Sequence, residues 1–135
     1  MSYGAADNDR DCIPDLYVVR HKNQTRLEVW CGAGGFTTKL VDVTTQMAGT
    51  AYAAKWRFSL ADHDTDGIPD LVVIRVDGVV ALHVIDGAGG YDDAPLILST
   101  GATAGQAGHY DMGDYDGDGR PDLLSVMPAG TLRVH

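Results

Sequence analysis

Short apolar segments recur along the whole chain, some of them alternating with polar residues, and such segments are typical of β-strands. Val, Ile, Leu and Tyr are frequent in these segments, as expected for residues that pack on a pleated sheet. Clusters of Gly, Asp, Asn and Pro separate them and indicate turns. No segment has a convincing helical period, so the chain is predicted to be all-β. The predicted strands cover residues 1–6, 16–20, 26–30, 38–43, 55–61, 71–76, 80–85, 95–99, 109–113, 123–127 and 132 onward.

The strand pattern is repeated along the chain. The segment Leu27–Phe36 matches Leu82–Tyr91 without a gap, and an acidic phrase recurs at residues 7, 62 and 114, at intervals of 55 and 52 residues. Such a period indicates a repeat architecture, and four antiparallel strands per unit are typical of a β-propeller blade. The chain is thus predicted to supply about two and a half to three blades, with the ring closed by oligomerisation or by missing chain segments. The predicted units are residues 1–54, 55–107 and a partial third, 108–135, with connectors at 44–54 and 100–108.

The second and third strands of each unit are predicted to form a hairpin through a two-residue turn. Asn or Gly at the second turn position supplies the positive φ that a type I′ turn needs. The predicted turns are Lys22-Asn23, Asp77-Gly78 and Ala129-Gly130.

The turn predicted in the first unit also positions the two cysteines. Its register places Val18 opposite Leu27, and Pro14 opposite Cys31. Cys12 then lies two residues from the position opposite Cys31, within reach of a disulfide. A disulfide is predicted, because neither other unit has Cys at either position; the alternative is two unrelated buried thiols.

The recurring acidic phrase is Asp-x-Asp-x-Asp-x-x-Pro-Asp-Leu, and it lies between the first and second predicted strands of each unit. Alternate carboxylates in so tight a loop repel one another unless a hard cation lies between them. Oxygen-only ligation favours Ca²⁺ over Zn²⁺ or copper, and Mg²⁺ is less suited because it retains its waters. One Ca²⁺ per loop, up to three, is therefore predicted. The predicted ligands are the carboxylates at positions 1, 3, 5 and 9 and the carbonyl at position 7: Asp7, Asp9, Asp11, Ile13 and Asp15; Asp62, Asp64, Asp66, Ile68 and Asp70; Asp114, Asp116, Asp118, Arg120 and Asp122.

Two other types of loop share this composition. An EF-hand requires a bidentate Glu at position 12 and two flanking helices, but position 12 is Val18, Val73 or Ser125 and lies in a predicted strand. A metal-free turn rich in Asp and Gly is the other alternative. The presence of Asp at all twelve carboxylate positions argues against it.

Composition and charge narrow the range of functions. The chain has 135 residues, 19 of them acidic and 10 basic, for a net charge of −9. Twelve of the acids lie in the three loops, so three Ca²⁺ ions would leave a charge of about −3. The chain has no basic stripe of the kind that binds nucleic acid and no run of 18 apolar residues that could span a membrane. Its N-terminal residues lack the basic and apolar pattern of a signal peptide.

The loop motif, the hairpin that follows it and the Gly-rich turn with its aromatic residue resemble the FG-GAP/VCBS repeat, which builds the integrin α-subunit propeller and many bacterial secreted propellers. The resemblance implies a propeller of seven, or sometimes six or eight, blades, with Ca²⁺ bound by the Asp residues named above. The chain departs from the family pattern at the sixth loop position, where the first loop has Cys12 and the other two have Gly67 and Gly119. The first site is therefore predicted to be distorted or weaker. Calcium loops and a disulfide both suit an extracellular protein.

The predicted function is non-catalytic binding or adhesion, in which a secreted propeller presents a surface to a protein or a glycan. A calcium-dependent lectin and an accessory propeller domain of a secreted hydrolase are the alternatives. The protein is not expected to be an enzyme, because any carboxylate pair suited to glycoside hydrolysis lies in a loop that calcium would occupy. A homodimer that closes a six-bladed ring is favoured, and a fragment that pairs with the rest of a larger propeller is the alternative.

Overall fold

The computed structural model describes residues 1–21, 23–48, 56–76, 79–103, 109–126 and 130–135. The strands in these ranges form three antiparallel sheets, which confirms the prediction of all-β, blade-like units. Within the same ranges there is no helix long and apolar enough to cross a bilayer. The first sheet contains β1 (Ser2–Ala6), β2 (Asp15–His21), β3 (Gln24–Trp30) and β4 (Lys39–Ala48); the second contains β5 (Arg57–Ala61), β6 (Asp70–Arg75), β7 (Val79–Ile85) and β8 (Leu96–Thr103); the third contains β9 (His109–Gly113), β10 (Asp122–Val126) and β11 (Leu132–Val134).

The last strand of each four-stranded sheet is longer than predicted. The prediction of irregular connectors is wrong for residues 44–48 and 100–103, which belong to β4 and β8. Residues 49–54 and 104–108 lie outside the described ranges. Thr45 and Met47 are buried, and the Thr45 hydroxyl donates to the Thr25 carbonyl oxygen over 3.1 Å. The β-branched threonines of this segment therefore pack as strand residues.

The register of the first hairpin differs by one residue from the prediction. Val18 pairs with Glu28 rather than with Leu27. Pro14 and Cys31, the other predicted pair, lie outside the paired residues of β2 and β3. The observed register pairs Val19 with Leu27 and thereby puts the apolar side chains of both strands on one buried face. A one-residue slip would turn them to the opposite face. Lys22, Asp77, Gly78 and Ala129 of the predicted turns lie outside the described residues.

The second sheet is the centre of the molecule, because both of its faces are covered. Leu71 and Val73 pack in a cluster with the first sheet, while Val72 and Ile74 pack in a cluster with the third. All four side chains are fully buried. The edge strands β1, β5 and β9 lie next to one another, with β5 in contact with both neighbours. Blades packed face to face in this way are typical of repeat proteins.

One face of the third sheet remains apolar and exposed. Leu124 pairs with Val134, and Val126 pairs with Leu132, so the four side chains share one face. The side chains of Val126, Leu132 and Val134 are 40–48% exposed. The equivalent face of the second sheet, one repeat earlier, is buried under the third sheet. We call the face formed by Leu124, Val126, Leu132 and Val134 the outer face of the third sheet.

The first sheet instead carries charged residues on its outer strands. Glu28 is buried beneath Arg20, Arg26 and Lys39, and the last two also bind Asp42. Although burial opposes it, the hydrogen bond from Lys39 and the surrounding cations hold the pKa of Glu28 below its usual value. The outward faces of the first and third sheets therefore differ in chemistry.

Candidate metal centres

The three acidic loops connect the first and second strands of their sheets, and each brings carboxylates together. In the first two loops the groups at positions 1, 3 and 5 each offer an oxygen within 4.8 Å of the others. In the third loop positions 1, 3 and 9 converge in the same way. Such a concentration of like charge is unfavourable without a counter-ion. The converging sets are Asp7, Asp9 and Asp11; Asp62, Asp64 and Asp66; and Asp114, Asp116 and Asp122.

The alternating Asp residues shape the loops through local hydrogen bonds. Asp9 Oδ1 accepts from the Asp11 backbone N–H over 3.2 Å, and Asp11 Oδ1 accepts from the Ile13 N–H over 2.8 Å. The other two loops repeat this pattern at the same positions. Asp side chains commonly bind the backbone two residues on. The Asp-x-Asp-x-Asp spacing therefore folds the loop, and it also aligns the carboxylates.

The sixth loop position has a left-handed backbone in all three loops. Its φ is 66° at Cys12 and 85° at both Gly67 and Gly119. In each loop its N–H donates to Oδ2 of the first Asp, over 2.9, 2.7 and 3.0 Å in chain order. The first loop thus makes the same turn as the others, without the distortion predicted from Cys12. The predicted difference in metal affinity stays a prediction.

The Asp at position 9 has a structural role that the sequence analysis missed. Asp15 is buried and accepts hydrogen bonds from the backbone N–H groups of Asn8 and Gly32, over 2.9 and 2.8 Å. Asp70 accepts equivalent bonds from His63 and Gly87. Burial raises the pKa of Asp70, and these two bonds oppose the rise. The position-9 carboxylate therefore ties the acidic loop to the Gly-rich turn after the third strand.

The first glycine of that turn is required by close packing in the first two repeats. A Cβ at Gly32 would lie closer than 3.0 Å to the carbonyl oxygen of Pro14, and one at Gly87 would lie equally close to that of Pro69. Real Cβ atoms essentially never approach a neighbour so closely. The Gly-Ala-Gly-Gly motif thus marks the point where the turn contacts the acidic loop.

The first two loops have a feature that fits a bound cation. The Oδ1 atoms of Asp7 and Asp62 are shielded from solvent, and among the described residues neither has a hydrogen-bond partner. A buried, unpaired carboxylate oxygen is strongly unfavourable, and Ca²⁺ prefers such oxygens as ligands. In the third loop Asp114 is exposed, and its Oδ1 accepts from the Gly117 N–H over 2.7 Å. The residues of the first two loops therefore fit calcium better than those of the third.

The cysteines are not bonded to each other. Cys12 is exposed and Cys31 is half-buried, and both are free thiols, so the predicted disulfide is wrong for this structure. The Cys31 sulfur lies within 4.8 Å of carboxylate oxygens of Asp9 and Asp15. Cys31 therefore lies beside the acidic loop, whereas Cys12 faces solvent.

Among the described residues, two side chains connect the first and second loops, and neither belongs to the predicted ligand sets. Arg10 donates to the carbonyl oxygens of Gly67 and Asp66, over 2.6 and 2.9 Å. The Tyr91 hydroxyl lies 2.8 Å from the Pro69 carbonyl oxygen and 3.1 Å from Asn8 Oδ1. Burial raises the pKa of Tyr91, so its hydroxyl stays protonated and can donate. The shape of one acidic loop is thereby coupled to its neighbour.

Comparison with known families agrees with this geometry. The FG-GAP-like repeat matches residues 7–73 and again residues 62–125. Each match begins at the first Asp of an acidic loop. No curated protein and no solved structure shows significant similarity to the chain. Because the two matches together span well over half of the sequence, the chain belongs to the FG-GAP-like repeat family.

Proposed function

We propose that this protein is a non-catalytic, extracellular binding module whose propeller blades are stabilised by Ca²⁺ in the acidic loops. The observation that carries the proposal is the pair of shielded carboxylate oxygens on Asp7 and Asp62, which lack any partner among the described residues. Repeats of this family form propeller-like modules that are often involved in adhesion. The ligand is a protein or a glycan.

Calcium in these loops would act on the fold and not on a substrate. It would neutralise converging carboxylates and satisfy the shielded oxygens of Asp7 and Asp62. Because Arg10 binds the backbone of the second loop, ordering that loop would also steady the contact between the first two sheets. Calcium sites of extracellular modules bind with dissociation constants of about 0.1–1 mM. Affinity in that range would suit a module that works outside the cell.

The experiment is a thermal melt of the full chain in EDTA and in increasing CaCl₂, with MgCl₂ as the competing ion. Binding to the folded state alone stabilises it by about 2.7 kcal/mol at a hundredfold excess over the dissociation constant. A saturable rise of several degrees with calcium and a smaller one with magnesium are expected. An identical midpoint in EDTA and in saturating calcium would overturn the proposal.

Matched variants locate the effect. Asp62→Asn removes the charge of a predicted ligand, whereas Asp92→Asn removes the charge of an exposed residue outside the acidic loops. The calcium-dependent rise should shrink in the first variant and remain in the second. Equal rises in both would place any bound calcium away from the second loop.

A further inference from the structure

The inner edge strands of the three sheets enclose an open groove. β1, β5 and β9 are each the terminal strand of their sheet, so each has one edge that no other described strand pairs with. Together they line a groove of about 470 Å³, and none of the predicted metal ligands contributes to it. This volume lies within the range of about 300–1,000 Å³ typical of small-molecule sites. Backbone N–H and C=O groups on the open strand edges add donors and acceptors to its wall.

A chain of polar side chains crosses this groove from one sheet to the next. The Ser59 hydroxyl donates to Asp111 Oδ1 over 2.9 Å, and the Met112 backbone N–H donates to the same oxygen over 2.8 Å. On the other side the Tyr17 hydroxyl lies near Ser59 and 3.5 Å from the Phe58 carbonyl oxygen. Burial raises the pKa of Tyr17, and the Asp111 carboxylate adds to the rise, so the phenol stays neutral.

The third residue of the inner edge strand differs among the three repeats. Gly4, Ser59 and Asp111 occupy the same place in β1, β5 and β9. A Cβ at Gly4 would lie closer than 3.0 Å to the Tyr17 hydroxyl, so glycine at this position gives the phenol its space. The three repeats thus place a phenol, a hydroxyl and a carboxylate side by side. Three different polar groups placed together are better suited to recognising a ligand than to a structural role that is the same in every repeat.

We propose that this groove binds a neutral sugar unit of a glycan. Each sugar hydroxyl both donates and accepts, which matches a wall that offers the Asp111 carboxylate together with hydroxyl and backbone donors. Arg57 and Asp111 both line the groove and balance its charge, which favours an uncharged ligand. Tyr3 and Tyr110 also line the groove. The proposal rests on the binding function proposed above and names its ligand and site.

The test is a titration of the calcium-loaded full chain with methyl glycosides of glucose, mannose, galactose, fucose and N-acetylglucosamine, measured by ligand-observed NMR and calorimetry. At least one glycoside should bind saturably. Loss of a hydrogen bond to a charged group is expected to weaken binding roughly tenfold or more in Asp111→Asn. Ser59→Ala should weaken it less, and Asp92→Asn should not change it. Far-UV circular dichroism and the melting temperature show whether each variant is folded.

Two results would overturn the assignment: no saturable binding of any glycoside, or equal affinity in wild type, Asp111→Asn and Ser59→Ala. The calcium melt on the same samples separates this proposal from the previous one. A normal rise in melting temperature with calcium, without glycoside binding, refutes only the proposal that the groove binds a sugar. Glycoside binding that depends on Asp111, without any calcium shift, supports the groove and refutes the role of calcium.

Discussion

Cys12 occupies a backbone conformation that the other two loops give to glycine. Its φ of 66° lies in the left-handed region, which costs a residue with a side chain about 1–2 kcal/mol. Glycine loses about 0.5–1 kcal/mol more conformational freedom on folding. Cys12→Gly is therefore expected to stabilise the fold by roughly 0.5–1 kcal/mol. For a chain of this size, that corresponds to a rise in melting temperature of roughly 2–4 °C.

The reverse substitutions separate backbone strain from steric clash. Gly67 and Gly119 share a φ of 85°. A Cβ at Gly119 would meet nothing within 4 Å, so Gly119→Ala reports the backbone term alone, about 1 kcal/mol of destabilisation. A Cβ at Gly67 would lie closer than 3.0 Å to the Arg10 guanidinium. Gly67→Ala should therefore cost more, because Arg10 must also leave its carbonyl partners.

The assay is urea unfolding followed by tryptophan fluorescence in EDTA, so that bound calcium does not contribute. Cys12→Ala is the matched control, since it removes the thiol and retains the Cβ. Stability is expected to decrease in the order Cys12→Gly, wild type with Cys12→Ala, Gly119→Ala, Gly67→Ala. If Cys12→Gly is no more stable than Cys12→Ala, strain at this position is not the cause and the reasoning is refuted.

Three further predictions concern the turn, the pH response and assembly. Gly87→Ala should cost at least about 2 kcal/mol in urea titrations because its Cβ would clash with the Pro69 carbonyl oxygen, whereas Gly90→Ala has open space and should cost only the backbone strain of its φ of 75°, about 1 kcal/mol. Burial, with the N-terminal ammonium, holds the pKa of His21 below 6.5. Neutral His21 should therefore stabilise the fold above that pH, and this stabilisation should be lost as the pH falls below it. His21→Gln should accordingly reduce the drop in urea midpoint between about pH 7.5 and about pH 5.5. In calcium, light scattering should give twice the chain mass of 14.4 kDa, and Val126→Asp on the outer face of the third sheet should give the monomer; a wild-type monomer contradicts closure of the ring by two chains.

The strands and the shape of the acidic loops could be predicted because both depend on near neighbours in the sequence. Alternation over five to seven residues defines a strand face, and Asp9 binds a backbone N–H only two residues away. The hairpin register could not be derived from turn residues alone. It depends on which face of β3 packs against the second sheet, as the burial of Leu27 and Val29 shows.

The link made by the position-9 Asp was missed because it depends on contacts between distant residues. Asp15 reaches Gly32, which lies 17 residues on, and no local pattern distinguishes this carboxylate from a metal ligand. The contacts of Arg10 and Tyr91 were missed for a similar reason. The partners of Arg10 lie 56–57 residues away and Asn8 lies 83 residues from Tyr91, so these residues become neighbours only when the first two sheets pack together. Pro69, the other partner of Tyr91, lies 22 residues away in the same repeat.

The link from Asp15 to Asn8 and Gly32 lies wholly inside one repeat, as does the link from Asp70 to His63 and Gly87. A tandem duplication or deletion of one repeat in the gene would therefore deliver or remove a blade with its loop already specified. The contacts between blades would be the only ones to adjust, and in repeat proteins these join nearest neighbours. The number of blades in such a chain can thus change by one complete repeat at a time during evolution, and each acidic loop keeps its hydrogen-bond partners throughout.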